Sequence, residues 1–158
     1  MRKIKRTPAG ETLTTFILDF FRLNSRLLSS GDRLVAELGL TSARWQILGA
    51  ITAPQQPQPV AWIARDLGAN RQNVQRIVND LEADGLVQFE VNPHHRRAQL
   101  VVLTDKGKQA FEAAMRLQAA WVNSLSDGLS VKEIEAAHGV MKTLRKNLDD
   151  MSESDNPE

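Results

Sequence analysis

Between Thr12 and Ser29 the apolar positions fall at Leu13, Phe16, Ile17, Phe20 and Leu27, and Phe21, Leu23 and Leu28 widen the stripe. That spacing is helical, and the broad aromatic face predicts an end helix that covers more than one neighbour. Leu34 to Leu38 predicts a short helix or turn stopped by Gly39. The segment LTSARWQILGAI predicts a further helix, with Thr41 or Ser42 as its cap and Trp45, Leu48 and Ile51 as its buried face. From Pro54 to Pro59 glutamine and proline alternate. Proline lacks an amide hydrogen and biases its predecessor to extended geometry, so this stretch is expected to be a loop between elements.

The segment PVAWIARDLGANRQNVQRIVNDLEADGLV carries two short helical patterns. Val60, Ile63, Ala64 and Leu67 form one face, which Gly68 ends. Asn70 can cap a second helix with Val74, Ile77, Val78 and Leu81 inward, ended by Asp84 and Gly85. Two short helices joined by a tight glycine-containing turn are a helix-turn-helix. Leu86 to Val91 and Ala98 to Thr104 are strand-like, and the residues between them include an Asn-Pro pair, which predicts a β-hairpin with a basic tip. Thr104 or Asp105 then caps a helix through Phe111, Met115 and Trp121, and a last helix carries Val131, Ile134, His138, Met141, Leu144 and Leu148.

Composition narrows the picture modestly. A chain of 158 residues fits one domain or one small protomer. It has no cysteine, which removes disulfides and thiolate zinc sites. No apolar run is long enough to span a bilayer, and no apolar core follows the basic start MRKIKR as in a signal peptide. The expectation is a soluble, cytoplasmic protein without membrane contact. The net charge of +1 hides a basic amino end (Arg2, Lys3, Lys5, Arg6) and an acidic carboxyl end (Asp149, Asp150, Glu153, Asp155, Glu158), both read as solvated tails.

Three phrases in this order, LTSARWQIL, IARDLGANRQNVQRIVNDLEADGLV and RRAQLVVLTDKG, resemble the MarR family of transcriptional regulators over about Thr12 to Leu148. The last phrase, a hairpin arm running into Leu-Thr-x-x-Gly, is the most specific. The resemblance implies a mostly α fold with a small β-hairpin: a winged helix-turn-helix DNA-binding region over 41–104, dimerisation helices at 12–30 and 106–148, and tails at 1–11 and 149–158. It implies a homodimer on a near-palindromic double-stranded operator, most often a repressor released by a small aromatic or acidic effector. No cofactor is expected.

With the apolar face of the second helix inward, Gln72, Gln75, Arg76 and Asn79 point outward, with Arg71 and Asn73 at the leading turn. Arg bonds guanine O6 and N7 bidentately, and Gln or Asn does the same on adenine. Any surface helix has a polar face. The helix-turn-helix setting, and the lack of carboxylates on this face before Asp80, favour DNA. Asn70 serves first as a cap, and the free amides beside it suit a phosphate. In the hairpin tip, the family's frequent Asp-x-Arg aligns with His95 and Arg97. The arginine carries over as a minor-groove probe and the aspartate does not, which leaves Arg96 as a phosphate contact. Protonated, His94 and His95 add positive charge to the tip.

Other chemistry is weakly supported. His94, His95 and His138 are the only histidines, and adjacent residues in a turn seldom complete a metal site, so no metal is expected. The aromatic set Phe16, Phe20, Phe21, Trp45 and Trp121 reads as core, and His138 as a hydrogen-bonded interface or core residue. By resemblance Phe20 and Trp45 would line an effector pocket in which Arg44 pairs an acidic ligand. No catalytic constellation is present: no nucleophile elbow, no Gly-rich phosphate loop, no metal box. A winged helix used only for protein contacts would carry an acidic or apolar recognition face, and a small hydrolase would need a nucleophile and base that the sequence does not supply.

Overall fold

The computed structural model describes residues 5–95 and 97–154, so Arg96 and the extreme ends of both tails lie outside the described residues. The chain forms two compact units, residues 1–118 and 119–158, with the division inside the helix α5 (Asp105–Leu125).

The first unit opens with α1 (Pro8–Val35). This helix starts earlier than its apolar stripe, because Thr7 caps it by accepting from the Gly10 amide at 3.0 Å and Pro8 occupies the first turn, where its missing N–H costs nothing. The expected tail at 1–11 is therefore helical from Pro8. A 3-10 turn (Ala36–Leu38) leads to α2 (Ser42–Thr52), whose cap is Thr41. Buried Ser42 ties the two helices: its amide donates to Asp32 Oδ1 at 2.6 Å and its hydroxyl to the Leu28 carbonyl at 2.7 Å.

Next come β1 (Gln58–Pro59), α3 (Val60–Leu67), α4 (Arg71–Ala83), β2 (Val87–Glu90) and β3 (Leu100–Leu103). The sheet is antiparallel with strand order β1-β3-β2 and the register Gln58↔Val101, Phe89↔Val101 and Val87↔Leu103. The wing is thus three-stranded rather than a plain hairpin, and the last two residues of the expected Pro54–Pro59 loop form a strand. The proline that forbids helix holds Gln58 extended, and an edge strand tolerates its missing donor. The core lies where these layers meet: Leu48 of α2, Ile63 of α3, Val78 and Leu81 of α4, and Val87 and Val101 of the sheet are fully buried.

The aromatic set divides. Trp45 is buried in this core, but Phe16, Phe20 and Phe21 of α1 are exposed, contrary to their reading as core, because their stripe has no partner within its own unit. In the second unit α6 (Val131–Ser154) begins at a reciprocal cap: Ser130 donates to Glu133 Oε2 through its amide (2.8 Å) and hydroxyl (2.6 Å). The helix runs through residues 149–154, so the acidic tail is shorter than expected. His138 is exposed rather than core, and with Leu129, Ile134 and Met141 it lines an apolar groove of 290 Å³.

Candidate nucleic-acid interface

The helix-turn-helix is built as its sequence demands. Gly68 adopts a left-handed φ of 61° that a side chain would strain, and ends α3. Asn70 Oδ1 then accepts from the amides of Gln72 (2.9 Å) and Asn73 (3.2 Å) to start α4. Val74, Ile77, Val78 and Leu81 are buried beneath it. This fixes the rotation of α4 and leaves Arg71, Gln72, Asn73, Arg76 and Asn79 exposed, with Gln75 half-buried.

These outward side chains bond one another. Gln75 Nε2 donates to Asn79 Oδ1 at 2.9 Å. The Arg76 guanidinium donates to Asn73 Oδ1 at 3.0 Å and lies 3.5 Å from Asp80 Oδ2. Arg71 has no carboxylate partner among the described residues.

The wing tip has a different construction. Asn92 is buried and staples it: its Nδ2 donates to the Ala98 carbonyl at 2.9 Å, and its Oδ1 accepts from the His94 amide at 3.0 Å. Two backbone bonds, His95 to Asn92 and Ala98 to His95, close the turn. Arg97 projects from this closed loop, exposed and without a carboxylate partner among the described residues. His95 is exposed as well.

Between α4 and the wing runs a groove of 440 Å³ lined by Arg71, Gln75 and Asn79 together with Arg97. Four of the residues singled out from sequence thus meet in one concavity. Gln72, Asn73 and Arg76 lie on the same helix but outside that lining. Glu82 and Phe89, which the sequence pattern does not single out, also line it. Glu82 sits three residues beyond Asn79 and seven beyond Gln75, so helical periodicity carried the signal.

The base of the wing explains the Leu-Thr-x-x-Gly phrase. Thr104 accepts from the Gly107 amide at 3.1 Å, capping α5, donates its hydroxyl to the Gly85 carbonyl at 2.7 Å, and sends its own amide to the Leu86 carbonyl at 3.1 Å. A Cβ on Gly107 would overlap the Leu86 carbonyl oxygen, so the close approach requires glycine. Beside this joint, Asp84 ends α4. Its carboxylate pairs with Arg44 of α2 and its carbonyl accepts from Lys106 at 2.8 Å. The hydrogen bond and charge of Arg44, with a smaller contribution from Lys106, hold the Asp84 carboxyl below the usual carboxylate range.

The three residues expected around an effector do not converge here. Arg44 is taken up by Asp84 and by the Gly39 carbonyl at 3.0 Å, and Trp45 is packed in the core. Phe20 lies eight residues along α1 from Leu28, where α2 docks, a rise of about 12 Å. Among the described residues no three His, Asp or Glu side chains gather as a metal site, and no helix is long and apolar enough to cross a membrane.

The sequence model of the MarR family matches residues 38–98, from the 3-10 turn through the wing tip. An uncharacterized protein of Mycobacterium tuberculosis is 33% identical over 135 residues, spanning 85% of this chain and 93% of its own. The transcriptional activatory protein BadR of Rhodopseudomonas palustris is 33% identical over 141 residues, 83% of this chain and 80% of its own. Among solved structures, the transcriptional repressor CouR bound to a 23-mer DNA duplex superposes with a TM-score of 0.74 at 26% identity, covering 89% of this chain and 99% of that one. CouR of Rhodococcus jostii RHA1 bound to p-coumaroyl-CoA gives 0.73 at 18% identity, over 83% and 90%. The winged helix-turn-helix, the groove it presents and these relatives agree: the chain belongs to the MarR family of DNA-binding transcription regulators.

Proposed function

We propose that the protein binds a near-palindromic operator as a homodimer, represses transcription there, and is released by a small aromatic or acidic effector. The observation that carries this reading is the groove in which Arg71, Gln75 and Asn79 of α4 face Arg97 of the wing. In this assignment Arg71, Gln72, Gln75, Arg76 and Asn79 read base edges in the major groove and Arg97 enters the minor groove. Asn73, at the leading turn, belongs to the same major-groove face, Asn70 caps the helix beside a phosphate, and Arg96 takes a phosphate.

A dimer is supported by the apolar side chains left exposed on α1 (Phe16, Phe20, Phe21) and on α6 (Ile134, Met141). Two recognition helices about 34–36 Å apart meet successive major grooves, which demands a two-fold operator. An acidic effector would compete with Asp84 for Arg44 and so loosen the end of α4, shifting the population toward a dimer with misplaced recognition helices. CouR, solved with p-coumaroyl-CoA, supports effectors of the aromatic class.

The sign of regulation has a second reading, because BadR, at 33% identity, is named an activator and CouR a repressor. Selection of bound DNA from a random library tests the whole reading. A palindrome with half-sites one helical turn apart is expected. Recovery of no enriched sequence would overturn it in favour of a protein-contact module. Placing the recovered site across, then upstream of, a reporter promoter separates repression from activation.

A further inference from the structure

Asn73, Arg76 and Asp80 occupy positions i, i+3 and i+7 of α4 and so share one stripe of the recognition helix. The two terminal nitrogens of Arg76 are both engaged along that stripe, one by Asn73 Oδ1 at 3.0 Å and the other facing Asp80 Oδ2 at 3.5 Å. The guanidinium therefore lies along the helix instead of reaching outward. Both charged side chains remain in water, 68% and 59% exposed, so the hold is weak enough for a good partner to replace it. Arg71 and Arg97 contrast with this, since neither has a carboxylate partner among the described residues.

From this arrangement we infer that Asp80 is a specificity-determining residue that works through Arg76: it restrains the guanidinium so that an uncharged base edge with two acceptors draws it off the helix more readily than a phosphate, whose charge Asp80 opposes. The inference rests on the DNA-reading assignment of α4. Guanine offers O6 and N7 in the spacing of the guanidinium fork, so it replaces two partners with two and brings no negative charge beside Asp80, whereas a phosphate offers two oxygens but adds its charge there. A phosphate is present at every sequence and attracts any free arginine equally. Asp80, an acceptor of the same charge sign as phosphate, also disfavours the approach that a random duplex would need. Removing its charge should free Arg76 for phosphate and raise binding to random DNA more than binding to the operator. The neighbouring Gln75–Asn79 bond ties its amides without charge and imposes no comparable filter on phosphate.

The test measures affinity for the library-selected duplex and for a random duplex of equal length, across a range of salt. The proteins are the full chain, Asp80→Asn, Arg76→Ala and the double variant. Asp80→Asn is expected to lower the selected-to-random ratio roughly three- to fivefold, as loss of an exposed ion pair allows. It is also expected to steepen the random-duplex salt slope by about 0.9, one added phosphate contact. With Ala at position 76 the Asp80 change should raise both affinities together and leave the ratio alone. An unchanged ratio in Asp80→Asn would overturn the inference while the DNA-reading assignment stands. An equal fall in the ratio without Arg76 would overturn it too, by assigning the effect to general charge. A wild-type protein that binds both duplexes alike would overturn the assignment and the inference together.

Discussion

The two edges of the groove proposed for DNA are built by opposite rules. On α4 the backbone is fixed by a cap and a buried face, and the outward side chains are tied to one another, Gln75 to Asn79 and Arg76 to Asn73 and Asp80. On the wing the backbone is stapled by buried Asn92 and by the Thr104–Gly107 joint, while Arg97 at the tip has no carboxylate partner among the described residues. The helix presents side chains restrained before DNA arrives. The wing presents a restrained loop with an exposed cation. Restraint suits base reading, where geometry discriminates; freedom suits a charge that must find a narrow, negative groove.

The wing side of this contrast breaks most easily at its base. Gly107→Ala forces a Cβ into the Leu86 carbonyl, and neither partner is the end of a flexible side chain. The expected cost is roughly 2–3 kcal/mol of folding stability, the upper part of the range of about 1–3 kcal/mol for overpacking. It should appear as a lower denaturant midpoint, with a loss of DNA affinity as the wing shifts against α5. A midpoint equal to wild type would mean that the joint yields without strain.

The helix side is tested by Arg76→Ala, for which a library selection should return an operator logo flattened at one position per half-site. A good bidentate contact discriminates by about 1–3 kcal/mol. Uniform weakening with an unaltered logo would move Arg76 to the phosphate class and erase its difference from the wing. Arg97→Ala should do the reverse, weakening specific and random binding nearly alike and making the salt slope shallower by about 0.9. Equal binding across salt concentrations would remove Arg97 from the interface.

Much of this contrast could be read from the chain, because it rests on local rules. Gly68 and Asn70 mark the turn and cap, and the spacing of Val74, Ile77, Val78 and Leu81 sets which side chains face outward. What the sequence hid depends on non-local partners. Gln58 pairs with Val101, far along the chain, so a two-residue strand next to a proline looked like loop. Arg44 reads from the sequence as a ligand contact, but Asp84, forty positions away, occupies it. Phe16, Phe20 and Phe21 are helical in spacing and aromatic in character, which predicts burial but not against what. Asn92 looked like a turn former and is also the buried staple, a role that needs the Ala98 carbonyl brought back by the hairpin.

The smallest effect concerns acid, and it separates the two units of the chain. Asp84 is held below the usual carboxylate range by Arg44, and Glu133 by the hydroxyl and amide of Ser130. A carboxyl whose folded pKa is depressed adds stability that is complete above its unfolded value and disappears as pH falls through the folded one. Wild type should therefore exceed Asp84→Asn and Glu133→Gln in stability at neutral pH, and each difference should close below the ordinary carboxylate range. Both groups are solvent-exposed, so the differences are expected to be small. DNA affinity tells them apart. Asp84 ends the recognition helix and is bonded to α2 and to Lys106 at the wing base, so Asp84→Asn should weaken operator binding at neutral pH and flatten its loss in acid. Glu133 only caps α6, so Glu133→Gln should shift the acid limb of stability and leave operator binding at neutral pH unchanged. If both substitutions altered operator binding equally, the Asp84–Arg44 pair would have no special hold on the recognition helix, and an effector competing for Arg44 would lose its lever.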